Sequence, residues 1–260
     1  MASFVIHYVA GENFLKNINA SENTKAGFLL GNLIVDSSII FGNVINPQKR
    51  KQIRNEHREE IQNEKVSTHF RNKDDAKYNI QLCNLEAFLE KYEQYMYNPT
   101  VLGYFFHLFT DNRFFKEVFD DAFISLNEEG EKTVLIEDLA KYKILKNNKI
   151  VTPKEFWTEE NIYGDYTKMN KLVLDRYKIQ FNEALLHRGF KLYRNPGIKE
   201  VHYSNIKSVI AATKSFIAES ENADTTDLKI FDPNKIIEFI DDVSNDFIEK
   251  YPQYVKKIIR

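Results

Sequence analysis

A run of apolar residues behind a helix-start signal sets the first constraint on this chain. Asn98-Pro99 offers a side-chain cap followed by a residue suited to the first helical position. The helix it opens, expected to reach about Phe123, carries Val101, Leu102, Tyr104, Phe105, Phe106, Leu108 and Phe109 on every side. A helix that is apolar all round has to be surrounded by other elements, so it must run through the centre of the molecule. Within its apolar run ride a histidine and an aspartate, His107 and Asp111. Their spacing of four puts them on one face, about 6 Å apart. A buried carboxylate must be paired or coordinated. An imidazole one turn away can hydrogen-bond it or share a divalent metal ion with it.

What could surround that helix is also written in the chain. With 260 residues, one large core or two small domains are possible. Glycine (9) and proline (6) are scarce among 260 residues, which favours long helices over many short strands. Helical periodicity is expected at Phe4 to Leu15 and at Lys25 to Ile34. Val35 to Asn46 reads as a loop with some helical turns, and Lys77 to Tyr95 as one long helix. Thr152-Pro153-Lys154-Glu155 is a capped start. Gly164-Asp165-Tyr166 punctuates before a helix from about Thr167 to Tyr177, and Pro196-Gly197 is a turn. Tyr203 to Glu219 is an amphipathic helix, and Asp232-Pro233 caps the last one. Asn127 to Lys149 is polar, with a weak alternation at Thr133-Val134-Leu135-Ile136. The expectation is one all-α domain over residues 1–260, a multi-helix bundle with a charged excursion at about 47–77.

Charge and cysteine content narrow the function. A net charge of −2 makes no case for a nucleic-acid partner. With Cys83 alone there is no internal disulfide and no cysteine-based zinc site, so a metal would need histidine and carboxylate ligands. Residues 1–10 do not read as a signal peptide, and the apolar stretch 28–41 is interrupted by Asn32, Asp36, Ser37 and Ser38. A cytoplasmic protein without stable membrane insertion is expected. Three further polar residues interrupt apolar or small-residue stretches: His7, Asp36 and His69. Singly, His7 can be a packing residue and Asp36 a cap. With His107 and Asp111, the three supply neutral imidazoles and carboxylates fit for zinc or another divalent metal.

In this order the motifs resemble a known family. They are Met1-Ala2-Ser3 with His7, Phe28-Leu29-Leu30-Gly31-Asn32-Leu33-Ile34-Val35-Asp36-Ser37, Ser67-Thr68-His69-Phe70, and Gly103-Tyr104-Phe105-Phe106-His107-Leu108-Phe109-Thr110-Asp111. Together they are similar to the zinc-dependent phospholipase C family, an all-helical fold related to the S1/P1 nucleases, and most to its uncharacterised bacterial branch. Ile162-Tyr163-Gly164-Asp165-Tyr166 through Asn170 is like that branch too. Coverage is good over about residues 1–120 and patchy beyond.

The resemblance implies one metal held by Asp36, His69, His107 and Asp111, with Asp111 bridging to a second that also takes His7. It implies one or two zinc ions and hydrolysis of a small-molecule or lipid phosphoester by a metal-activated water. Asp36 would double as general base. The chain departs from the secreted enzymes in two respects. They use an N-terminal tryptophan as a ligand, whereas Trp157 is the one tryptophan here. They hold a further metal through two histidines and a glutamate, whereas neither His187 nor His202 has a glutamate four residues on. Glu117 and Asp165 are the candidates for additional ligands; Arg71 reads first as a plain surface arginine, with clamping of a phosphate oxygen as the alternative. His57 is expected to be solvated. A catalytically inert metal-binding or scaffold protein is the rival reading. An HD-like phosphohydrolase is disfavoured because the chain holds no adjacent His-Asp pair.

Overall fold

The central helix is where its composition requires it, but its α-helical part ends at Arg113 and gives way to a π-helix over Phe114–Phe119, short of the expected Phe123. In the computed structural model of the 260-residue chain, the helix Pro99–Arg113 has every residue from Pro99 to Asp111 buried. Asn98 caps it by accepting from the Thr100 N–H at 2.9 Å. The structure describes all residues except 38, 39, 41–43, 45, 47, 48, 50, 51, 54, 55, 194–196, 202 and 260.

Eleven α-helices occur among the described residues. In chain order α1 is Phe4–Asn17, α2 Glu22–Ile34, α3 Arg58–Thr68, α4 Leu85–Tyr92 and α5 the central Pro99–Arg113. Then come α6 Pro153–Phe156, α7 Ile162–Tyr177, α8 Glu183–Leu192, α9 Ile206–Ser220, α10 Pro233–Lys250 and α11 Pro252–Ile258. None is long and apolar enough to cross a membrane.

Around α5 the packing is close. A Cβ on Gly103 would lie 2.1 Å from the Phe28 carbonyl oxygen, and one on Gly31 1.9 Å from that of Thr100. Glycine at both positions lets α2 and α5 touch backbone to backbone. On the far side of α2, Gly189 of α8 does the same against Ala26, at 2.2 Å. Beside this stack, α1 lies on α10. Phe14 of α1, Phe28 of α2, Phe106 of α5 and Phe247 of α10 meet with ring centroids 4.7–5.6 Å apart. Pairs at such separations add to the area they bury.

The molecule is mostly helical rather than all-α. Three short antiparallel strands follow the central helix: β1 Phe123–Leu126, β2 Lys141–Ile144 and β3 Ile150–Val151, in the order β1-β2-β3. Phe123 pairs with Ile144 and Tyr142 with Val151. The Tyr142 ring stacks on Phe156 of α6 at 4.2 Å, tying the sheet to the helices. Leu135, in the weakly alternating stretch, makes an isolated bridge to Tyr78.

Other boundaries also differ from expectation. The helix expected from Lys77 begins at Leu85, because Asn84 accepts from the Ala87 N–H at 3.0 Å and starts the helix there. Ile80 and Leu82 pack on the core from an irregular segment. Gly164 lies inside α7, which starts at Ile162 instead of after a break. A further helix, α11, follows the one capped by Asp232. Near the start of the chain, α2 begins three residues earlier than expected, at Glu22, with Ser21 as its cap. Part of the excursion at 47–77 is α3, and Lys73–Lys77 is a turn of 3-10 helix. Pro196, His202 and much of the loop expected at 35–46 lie outside the described residues.

Candidate metal centre

Five side chains from four parts of the chain converge at the heart of this packing. His7 comes from α1, Asp36 from just beyond the end of α2, His69 from the end of α3, and His107 and Asp111 from α5. His7, His69, His107 and Asp111 are fully buried. The Asp36 side chain is 5% exposed.

Three helix ends deliver these groups. Ser3 caps α1 by accepting from the Ile6 N–H at 3.1 Å, which fixes the turn bearing His7. Asp36 follows α2, where its own N–H folds back to the Leu33 carbonyl at 3.4 Å. The last four carbonyls of a helix have no intrahelical donor. That of Asn32 is one of them, and it accepts from His107 Nδ1 at 2.7 Å. The close α2–α5 crossing makes this bond possible. It puts the proton of His107 on Nδ1 and leaves Nε2 as a lone pair, the arrangement that orients a ligating histidine. His69 Nδ1 is 2.9 Å from the Thr68 hydroxyl, so its Nε2 is likewise turned inward. Tyr104 of α5 donates to the Thr68 carbonyl and anchors that corner.

Around the centre the two oxygens of Asp111 face different histidines. Oδ1 lies 3.3 Å from His7 Nε2 and accepts from the Ala2 N–H at 2.9 Å. Oδ2 lies 3.5 Å from His69 Nε2 and 3.7 Å from His107 Nε2. Those two nitrogens are 3.4 Å apart, and Asp36 Oδ1 is 3.6 Å from His69 Nε2. The rings of His7 and His107 stack at 3.6 Å with 12° between their planes.

Two triads follow, His7, His107 and Asp111, and Asp36, His69 and His107, each with ligand atoms within 4.8 Å of one another. Separations of 3.4–3.7 Å are long for hydrogen bonds. They match two donors on one tetrahedral ion, which with bonds of about 2.1 Å stand about 3.4 Å apart. Both nitrogens of His7 and Asp111 Oδ2 are buried with no hydrogen-bond partner. Buried polar atoms carry a cost unless something satisfies them, and a divalent cation would satisfy Asp111 Oδ2 and one of the two His7 nitrogens. The residues therefore fit a metal.

Electrostatics agree with this donor chemistry. Burial lowers His107 to a pKa of about 4, helped by the neighbouring His7 and opposed by Asp111 and Asp36. Burial, then the Arg71 charge, holds His69 well below the ordinary imidazole value. Both rings are thus neutral near pH 7, as ligands must be. Burial alone would raise the Asp111 carboxyl, but the adjacent His7 and His107 rings hold it well below the usual range. Burial likewise pushes Asp36 up, and Lys65, His107 and His69 together bring it below the usual range.

The remaining candidates divide. Arg71 has a half-buried side chain whose Nε is buried and unpartnered, and its charge acts on His69. It is not a plain surface arginine. Glu117 is a correction: Arg113 grips both its oxygens, at 2.5 and 2.8 Å, and it joins neither triad. Asp165 is another. It accepts from the N–H groups of Lys229, Ile230 and Phe231 at 2.9, 2.6 and 3.1 Å, so its carboxylate ties a loop to α7. Asp36, expected as a general base, is paired to Lys65 Nζ at 3.0 Å and held ionised, which suits a ligand better than a proton acceptor.

His57 is exposed and pairs with Glu60 at 2.6 Å. The backbone of residues 1 and 2 reaches the cluster, where the buried Met1 amine lies within electrostatic reach of Asp111 and Asp36. Ala2 donates to Asp111, and the Met1 carbonyl accepts from Tyr166 at 2.7 Å.

Sequence reasoning missed Lys65. Its spacing of four from His69 was the available signal, since that puts both on one helix face. The Asn32 carbonyl had none, being a backbone group aimed by a tertiary crossing. No family model, curated protein or solved structure matches this chain.

Proposed function

We propose that this protein is a metal-dependent hydrolase, with zinc as the first metal to test and a phosphoester as the substrate class. One observation supports the metal above all: buried donors 3.4–3.7 Å apart, aimed at one another, with Asp111 Oδ2 unpartnered. The phosphoester rests on the motif resemblance alone, and Arg71 beside His69 is compatible with it. A bound divalent ion would supply Lewis acidity and lower the pKa of water.

His107 would be a ligand through Nε2, because the Asn32 carbonyl holds its Nδ1 proton. Asp111 can serve both halves, since its oxygens face opposite sides. Arg71 would hold an anionic group near His69. Any substrate would approach past Asp36, whose partner Lys65 is partly exposed.

A second reading is favoured by burial. Four of the five ligands have no solvent exposure, as in a metal site that serves structure alone. The test begins with metal analysis of protein purified without added metal, for wild type and Asp111→Ala. About one or more zinc per chain, lost in the variant, is the expected result. Hydrolysis of a phosphodiester or phosphomonoester by the loaded wild type then separates the readings. Bound zinc without hydrolysis leaves a structural metal. A folded wild type that neither retains nor takes up metal removes both.

A further inference from the structure

Lys65 is the feature of the cluster that ligand chemistry does not explain. Its Nζ lies 3.0 Å from Asp36 Oδ1, the same oxygen that stands 3.6 Å from His69 Nε2. The half of the cluster made by Asp36 and His69 therefore already has a cation on its carboxylate. The half made by His7 and Asp111 has no paired side-chain cation among the described residues: Asp111 Oδ1 accepts a backbone N–H, Oδ2 has no hydrogen-bond partner, and the cationic group in electrostatic reach is the buried Met1 amine. The two halves are alike in donor type and unlike in charge.

We propose that Lys65 is a built-in substitute for a second metal ion and makes the two halves of the centre fill in a fixed order. This rests on the metal-binding reading above. An ammonium and a divalent ion on one carboxylate oxygen repel each other, so metal uptake by Asp36 and His69 requires Lys65 to leave. The structure gives it a way out. Lys65 sits in the last turn of α3, and its side chain is 19% exposed, so its flexible stem can swing the charge into water. Its other contact, Met1 Sδ at 3.6 Å, is a weak acceptor that does not hold it. The first ion takes the half without a paired side-chain cation, His7, His107 and Asp111; the one Nε2 lone pair of His107 serves that ion, so the second is left Asp36, His69 and the Asp111 oxygen 3.5 Å from His69. The second binds only at the cost of the Lys65–Asp36 pair. As long as that pair holds, Asp36 is neutralised and the half-filled protein is a stable form.

Calorimetric titration of zinc into the chelator-treated full chain tests this, with wild type, Lys65→Met, Lys65→Gln and Lys65→Arg compared. Wild type is expected to bind one zinc tightly and a second at least about tenfold more weakly. Both neutral variants should bring the second affinity to within about threefold of the first, and Lys65→Arg should keep the two unequal. Cobalt(II), titrated the same way, gives an absorption readout of each coordination step. Two equally tight sites in wild type would overturn the proposal. So would a second affinity unchanged in the folded neutral variants, or lost in them, since Lys65 would then only prop Asp36. If neither wild type nor any variant takes up zinc, the metal reading falls and this proposal with it. One zinc in wild type and no change in the variants removes the role of Lys65 alone.

Discussion

At the scale of single residues, two buried aspartates show how similar side chains reach different ends. Asp111 and Asp165 are both shielded from solvent. Asp111 faces imidazole nitrogens and keeps one oxygen without a hydrogen-bond partner. Asp165 spends both its oxygens on three backbone N–H groups of residues 229–231. Losing charge-assisted bonds from buried amides costs about 2–4 kcal/mol. Asp165→Ala should therefore lower unfolding free energy by about 3 kcal/mol in urea titration while the zinc content stays that of wild type. A folded Asp165→Ala protein that loses its metal would reinstate Asp165 as a ligand.

The same contrast bounds what the amino-acid sequence discloses. His7, Asp36, His69, His107 and Asp111 stand out because each is costly in an apolar stretch. Asp165 and Glu117 resemble ligands in sequence; nothing local reveals the amides of residues 229–231 that occupy Asp165, whereas Arg113, four residues before Glu117, was a local signal for its ion pair. Lys65 looked like one charge among many, because the reach of a long side chain across to α2 is settled by the helix crossing.

Between elements, the α2–α5 contact governs the site. It is set by Gly31 and Gly103 and brings the Asn32 carbonyl to His107. A methyl group on Gly103 would meet the Phe28 carbonyl oxygen at 2.1 Å, a contact with backbone that no rotamer change relieves. Overpacking of this kind costs about 1–3 kcal/mol and forces the helices apart. Gly103→Ala should lower stability by about 2 kcal/mol and weaken zinc binding at the same time, as read by thermal unfolding and metal titration. Destabilisation with unchanged metal affinity would show that the crossing does not position His107.

Helices with explicit punctuation were legible: Asn98-Pro99 opens α5, and Thr152 and Glu155 form the expected capping box. The sheet was not, since strands of four, four and two residues are too short for alternation to register. Leu82 fitted a helical period before α4, yet Asn84 as a cap decides where that helix begins.

Across the whole molecule, a buried imidazole–carboxylate cluster couples folding to pH. His107 is lowered to about 4 and His69 well below its ordinary value of 6.5, in both cases by burial first. In the unfolded chain both rings take up a proton near pH 6.5. Between about pH 6.5 and 4 the unfolded state thus binds more protons than the native one, and stability must fall as pH falls. Each proton contributes a slope of about 1.4 kcal/mol per pH unit. Glu12 works in the opposite sense, because burial raises its carboxyl and its charged form is disfavoured in the native state. It can offset at most one of the two histidine protons. Asp36 and Asp111, held below the usual carboxylate range by the cations and rings around them, add further loss once pH drops below about 3.8. Urea unfolding of chelator-treated protein at pH 7.5, 6 and 5 should show stability declining by at least about 1 kcal/mol between the last two. Zinc should steepen the decline, since protons and metal compete for the same nitrogens. Stability that is flat or rising from pH 6 to 5 would mean that the histidines are already charged in the folded protein. The cluster would then be a set of ion pairs and not a ligand shell.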